Sequence, residues 1–303
     1  MADLSVNFAG VPFKTPVVVA SGTFGFGREY AELFDLSALG GICVKGLTLR
    51  PRLGNPPPRI AETPMGILNS VGLQNPGVDR FIEDELPYLK TLGTNIIANI
   101  SGDTVEEYAE MAEKLSEAGV DLIEVNVSCP NVKAGGAAFG VSPQGAAAVT
   151  RAVKRVSKVP VMVKLTPNVT DIAEIARAAE DAGADALSLI NTILGMRIDI
   201  KTRRPVLRNN TGGLSGPAVF PVAVRMVWQA RRAVKIPICG MGGIMTGEDA
   251  VEMMLAGADI VSVGTALFRD PLAPLRVTEG IARYLDENGY PNVSEITGKV
   301  QLY

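Results

Sequence analysis

Eight short apolar runs rich in β-branched residues recur along this chain, each followed by a polar or glycine-rich stretch and then, usually, by an amphipathic helical segment. They are Val17 to Ala20, Gly41 to Val44, Asn95 to Ile100, Leu122 to Val125, Val161 to Leu165, Ala186 to Ile190, Ile236 to Cys239 and Ile260 to Val263. Eight such units are the number that closes a (β/α)8 barrel, and the 303 residues fit one such domain, residues 1–303, with additions.

Local punctuation supports the same architecture. Helices are expected over Thr104 to Ala118, Thr170 to Ala182 and Thr246 to Ala256, each stopped by the glycine that follows. The motif Ala-Gly-(Val or Ala)-Asp at 118–121, 182–185 and 256–259 turns a helix end into the next strand three times over. Leu4 to Phe8 and Val11 to Phe13, split by Ala9-Gly10, read as an amino-terminal hairpin. An open doubly wound sheet would favour Gly-x-Gly-x-x-Gly after an early strand, and Gly22-Thr23-Phe24-Gly25-Phe26-Gly27 lacks that spacing.

A barrel carries its active site at the carboxyl ends of its strands. In order, those positions hold Ser21, Lys45, Asn99, Asn126 with Cys129, Lys164, Asn191 with Thr192, Gly242-Gly243 and Gly264-Thr265. Glycine turns after the seventh and eighth strands let backbone N–H groups approach an anion, so a phosphate-bearing ligand is expected there. Two insertions, Arg50 to Gln74 and Val132 to Ser142, are too long for simple turns and are expected over the site, the second as a glycine-hinged lid.

The chain has no histidine, which rules out a Ser-His-Asp triad, a Cys-His pair and a His-ligated metal. Proton transfer near neutral pH then falls to Cys, Lys or carboxylates. Cys43 and Cys239 lie inside apolar runs and read as small buried hydrophobes. Cys129 instead follows a strand, precedes Pro130 and is flanked by Asn126, Ser128 and Asn131, a setting for chemistry. Three well-separated cysteines provide neither a zinc site nor a four-thiolate cluster and suit a reducing cytoplasm. With 29 basic and 32 acidic side chains and no basic run, neither nucleic acid nor a membrane is an expected partner. The amino terminus has no basic, apolar leader pattern, and no uncharged apolar run reaches spanning length.

Taken together, Ala20 to Thr23, Lys45-Gly46, Asn69 to Gln74, Asn126-Val127-Ser128-Cys129-Pro130-Asn131, Val163 to Thr166, Asn191-Thr192, Gly240 to Gly243 and Gly264-Thr265 resemble the dihydroorotate dehydrogenases over essentially the whole chain. The resemblance implies FMN held by Ser21, Lys45, Gly46, Asn99, Asn126, Lys164, Ile190, Gly216, Gly242, Gly243, Gly264 and Thr265. It implies a substrate site of Lys45, Asn69, Ser70, Val71, Gly72, Leu73, Asn126, Asn191 and Thr192, with Cys129 as the base. Cys129 would remove the C5 proton of (S)-dihydroorotate while the C6 hydride passes to flavin N5, giving orotate for UMP synthesis.

Asn131 to Gly140 and Asn191 to Met196 look like the NAD-linked heteromeric class more than the fumarate-using homodimers. The chain lacks a dinucleotide fingerprint and a cluster-binding cysteine set, so electrons bound for NAD need another polypeptide. The resemblance implies an electron-transfer subunit carrying FAD and [2Fe-2S], in a heterotetramer with two copies of each subunit. Two other readings stay open: a cysteine-nucleophile barrel similar to inosine monophosphate dehydrogenase, and a non-catalytic barrel that senses or stores a phosphate ligand. The second gives Cys129, Lys45 and Lys164 no reason to converge.

Overall fold

A computed structural model describes residues 2–128 and 139–303. At its centre eight parallel strands close into a barrel. They are Val17–Val19, Gly41–Cys43, Asn95–Ile100, Leu122–Asn126, Val161–Lys164, Ala186–Leu189, Ile238–Met241 and Ile260–Val263. They follow one another in chain order, and the eighth returns to the first with Val261 opposite Val17. The expected runs and the strands agree to within a residue or two. The seventh differs most: Pro237 has no amide hydrogen to give a ladder, so the strand starts at Ile238 and runs on through Gly240 and Met241. Only Gly242 and Gly243 are left to form the turn.

The helix ends follow the capping chemistry. Val105–Ala118 starts at Thr104, whose hydroxyl accepts from Glu107 N, and stops at Gly119 in the left-handed region (φ 79°). Gly247–Ala256 starts at a reciprocal Thr246/Asp249 capping box. The middle helix, Ile172–Asp181, is shorter than expected because Asp171, not Thr170, provides the cap.

The repeated Ala-Gly-x-Asp motif does more than end helices. Asp121, Asp185 and Asp259 each accept, at 2.7 Å, the backbone N–H of Ile96, Val161 or Ile238 near the start of the preceding strand. Lys154 and Arg231 pair with the second and third of these carboxylates. The three acids therefore fasten neighbouring strand starts together at the amino-terminal rim.

Side chains alternate between the helices and the barrel interior. At the amino-terminal end the interior is apolar: Val18, Cys43, Ile97, Leu122, Met162, Ala186, Cys239 and Ile260 pack with Phe8 and Phe13. Those phenylalanines belong to the expected hairpin, Val6–Phe8 with Val11–Phe13, which plugs this end. Two residues further along the strands the interior turns polar, with Asn99, Glu124, Lys164, Ser188 and Ser262 all buried. The polar layer is the floor of the site.

The first insertion is a structured element. Ile60–Thr63 and Gly66–Asn69 form a hairpin, and Gly66–Asn69 also pairs with Gly212–Ser215, which pairs in turn with Ile193–Gly195. This four-stranded sheet stands over the carboxyl ends of the barrel. Its half from the segment after the sixth barrel strand has no counterpart in the sequence reading. The strands are three or four residues long and glycine-rich, and their partners lie far away in sequence. Most of the second insertion, 132–138, lies outside the described residues, as does Cys129. Among the described residues no helix is long and apolar enough to cross a membrane.

Candidate active site

A cavity opens at the carboxyl ends of the strands, between the polar layer and the four-stranded sheet. The barrel contributes Ser21, Lys45, Gly46, Asn99, Asn126, Lys164, Ile190, Asn191 and Thr192 to its lining, and the two turns contribute Gly242, Gly243, Gly264 and Thr265. The insertion contributes Asn69, Val71, Gly72 and Leu73. Two expected residues stand just behind this lining. Ser70 is fully buried with no partner for its Oγ. Gly216 (φ 100°) lies so close to Gly66 that a Cβ would come within 2.7 Å of the Gly66 Cα.

Hydrogen bonds fix the orientation of the polar side chains. The Asn126 oxygen accepts from Ser128 Oγ at 2.9 Å and from Ser128 N at 3.2 Å, which leaves its NH2 end for an acceptor in the cavity. Asn191 donates to Ser128 Oγ, and its own oxygen accepts from Thr192 N at 2.8 Å. Thr265 donates to Ser215 Oγ at 2.8 Å, tying the eighth-strand turn to the covering sheet.

Asn99 shows what the cavity is built to receive. Its Nδ2 donates to Glu124 Oε2 at 2.5 Å, while its Oδ1 is buried without a partner. The Ser262 hydroxyl, also on the cavity wall, is buried and unpartnered as well. Leaving such groups unsatisfied costs about 1–3 kcal/mol each, so a ligand offering an N–H donor would be stabilised here. Gly46 makes room for this arrangement, since a Cβ at that position would meet Asn99 Oδ1 at 2.8 Å.

On the floor Lys164 and Glu124 form a buried ion pair, at 3.3 Å. Burial alone would neutralise both groups. The Lys164 ammonium, helped by hydrogen bonds from Ser188, Cys43 and Asn99, nevertheless holds the Glu124 carboxyl below its ordinary value. Burial pulls the Lys164 amine down, and Glu124 outweighs that, so the amine ends above its ordinary value. Burial pushes the Cys43 and Cys239 thiols up, which keeps them protonated and suits the Cys43 thiol as a donor to Glu124.

Glu124, Ser188 and Ser262 were not among the residues expected from sequence. A signal existed: Glu124 interrupts an apolar run on the same strand face as Leu122, and a carboxylate in a buried strand requires a partner. The contributions of Ile60, Ile67 and Gly213 to Ser215 to the cavity carried no such local sign.

The fold and the cavity define a (β/α)8-barrel enzyme whose ligand site, set at the carboxyl ends of its strands, offers two lysines, several amides and two glycine turns. The sequence model of the dihydroorotate dehydrogenase family matches residues 3–285, and the chain belongs to that family of oxidoreductases. A relative from Alkaliphilus metalliredigens (strain QYMF) is 58% identical over 298 residues, covering 98% of this chain and 99% of the relative. Relatives from Thermoanaerobacter sp. (strain X514) and Geobacter sulfurreducens are 57% and 56% identical, each alignment covering 99% of both proteins. All three relatives are named dihydroorotate dehydrogenase B (NAD(+)), catalytic subunit.

Proposed function

We propose that this chain is the FMN-binding catalytic subunit of an NAD-linked dihydroorotate dehydrogenase, oxidising (S)-dihydroorotate to orotate for pyrimidine synthesis in the cytoplasm. The observation that carries the reading is the pairing of a buried, charged Lys164 with the unpartnered Asn99 Oδ1 in one cavity. A flavin matches that pair, because its ring system offers both an N–H donor and a region that gains negative charge on reduction.

FMN, when bound, supplies the acceptor for the substrate's C6 hydride. The residues of the chain do the rest. Lys164 and Lys45 supply positive charge beside the ring. Ser21, Gly46, Asn99, Asn126 and Ile190 hold the ring, and Gly242, Gly243, Gly264 and Thr265 offer backbone and hydroxyl donors to the phosphate, with Gly216 behind them. Asn69 to Leu73, Asn126, Asn191, Thr192 and Lys45 orient the substrate, amides both donating to its carbonyls and carboxylate and accepting from its ring N–H groups. Cys129, as thiolate, takes the C5 proton.

The names of the relatives, a catalytic subunit of an NAD(+) enzyme, support an electron exit through a second subunit. That subunit is proposed to carry FAD and [2Fe-2S] and to assemble two-plus-two with this chain. An absorbance spectrum of the purified chain, before and after anaerobic dihydroorotate, tests the reading. About one FMN per chain, bleached stoichiometrically, is expected; colourless protein from flavin-replete cells, or flavin that dihydroorotate leaves oxidised, would overturn it.

A further inference from the structure

Directly beneath Lys164 stands a carboxylate that is not part of the cavity wall. Glu124 is 1% exposed, and its two oxygens collect four donors from four other strands. Ser188 Oγ reaches Oε1 at 2.7 Å, while Cys43 Sγ, Asn99 Nδ2 and Lys164 Nζ reach Oε2 at 3.1, 2.5 and 3.3 Å. Ser188 and Cys43 hold the carboxylate from within the barrel. Asn99 and Lys164 are held by it and line the cavity above.

Lys164 uses a second donor on Ser21 Oγ at 3.3 Å, so two of its three N–H groups are engaged by these partners. An ammonium buried without a counter-ion loses its proton readily, because desolvation penalises the charged form. The ionisable groups facing Lys164 inside the barrel are Glu124 on the fourth strand, Cys43 on the second and Cys239 on the seventh. Lys45, at the end of the second strand, lines the same cavity. Both thiols are held protonated, so Glu124 is the anion in this set.

We infer that Glu124 is a positioning residue that acts through Lys164, fixing the ammonium on the cavity floor and keeping it charged across the working pH range. The inference rests on the flavin reading given above. Its consequence is electrochemical: with Glu124 in place, the charge that Lys164 presents to the ligand does not change with pH.

The test is the midpoint potential and dissociation constant of FMN, measured from pH 6 to 9 on the full chain. The variants are Glu124→Gln and the neutral double variant Glu124→Gln/Lys164→Gln, compared with wild type. In Glu124→Gln the amine should titrate within the window. At the acid end its uncompensated charge should raise the potential; at the alkaline end the potential should fall to that of the neutral double variant. The step should correspond to at least a tenfold change in the two-electron equilibrium, about 30 mV. It should be absent from wild type and from the double variant, and FMN affinity should fall at least tenfold across the same step.

A Glu124→Gln trace superimposable on wild type, or the same step in the double variant, would overturn the inference. Should Glu124→Gln fail to fold, the neutral double variant decides: recovery of folding and FMN binding supports a carboxylate that compensates Lys164, and continued failure rejects it. Wild-type protein that binds no FMN would instead reject the flavin reading itself.

Discussion

Lys164 Nζ lies 3.3 Å from Glu124 Oε2 inside the barrel, with the two side chains 5% and 1% exposed. A surface pair of this kind contributes little, but here removing one partner strands the other in a medium that cannot solvate it. The pair therefore couples the stability of the barrel to the electrostatics of the site above it.

Lys164→Ala is expected to destabilise the protein by about 3–5 kcal/mol, the usual cost of leaving a buried charge unpaired. It should also weaken flavin retention or slow flavin reduction. Urea denaturation and flavin content read the two effects; wild-type behaviour in both would remove Lys164 from the site.

The pair also sets a pH window. Glu124 is held below 4.5 in the folded state, so its contribution is complete above 4.5 and is lost as pH falls through the folded value. Lys164 is held above 10.5, so its contribution is complete below 10.5 and is lost as pH rises through the folded value. Wild-type stability should decline at both extremes more steeply than that of the neutral Glu124→Gln/Lys164→Gln variant. Parallel curves from pH-dependent denaturation would contradict the assignment of two charged partners.

Asp121→Ala removes the acceptor of the Ile96 N–H at the amino-terminal rim, far from the cavity. A hydrogen bond to a charged group contributes about 1.5–3 kcal/mol, and a loss of that size is expected in urea denaturation with the site chemistry unchanged. A change within about 0.5 kcal/mol would show that the strand clamp contributes nothing, since ordinary surface substitutions stay in that range.

Cys129→Ala should retain fold and flavin while slowing flavin reduction by dihydroorotate about 10²- to 10⁴-fold, the usual contribution of a positioned general base. Cys129→Ser should recover part of the rate at high pH, because a hydroxyl is a much poorer base than the thiolate of a thiol with a reference pKa of about 8.5. Stopped-flow bleaching from pH 6 to 9 measures both. Unchanged rates in the two variants would retire Cys129 as the base.

Electron exit gives the last expectation. The isolated chain should reduce artificial acceptors with dihydroorotate and reduce NAD poorly, and addition of the FAD and iron-sulfur subunit should restore NAD reduction. Co-purification from the native source with a turnover assay measures this. Rapid NAD reduction by the chain alone, or efficient fumarate use by a lone homodimer, would overturn the NAD-linked subclass and leave the family membership standing.

The barrel was legible because its information is local. β-branched runs such as Val161 to Leu165 specify strands, Thr104 and Gly119 bracket a helix, and the order of units around a (β/α)8 barrel follows the order of the chain. With that order fixed, the strand ends converge on one mouth, which is why the sequence alone places Ser21, Lys45, Asn99, Asn126 and Lys164 together.

Tertiary structure decided what depends on contacts distant in sequence. The sheet that joins Gly66–Asn69 to Gly212–Ser215 is built from strands too short and too rich in glycine to announce themselves, and pairing alone defines it. Glu124 reads as an isolated acid within an apolar run. Only closure of the barrel brings Cys43, Asn99, Lys164 and Ser188 around it and turns an unfavourable buried charge into the support beneath the active-site lysine.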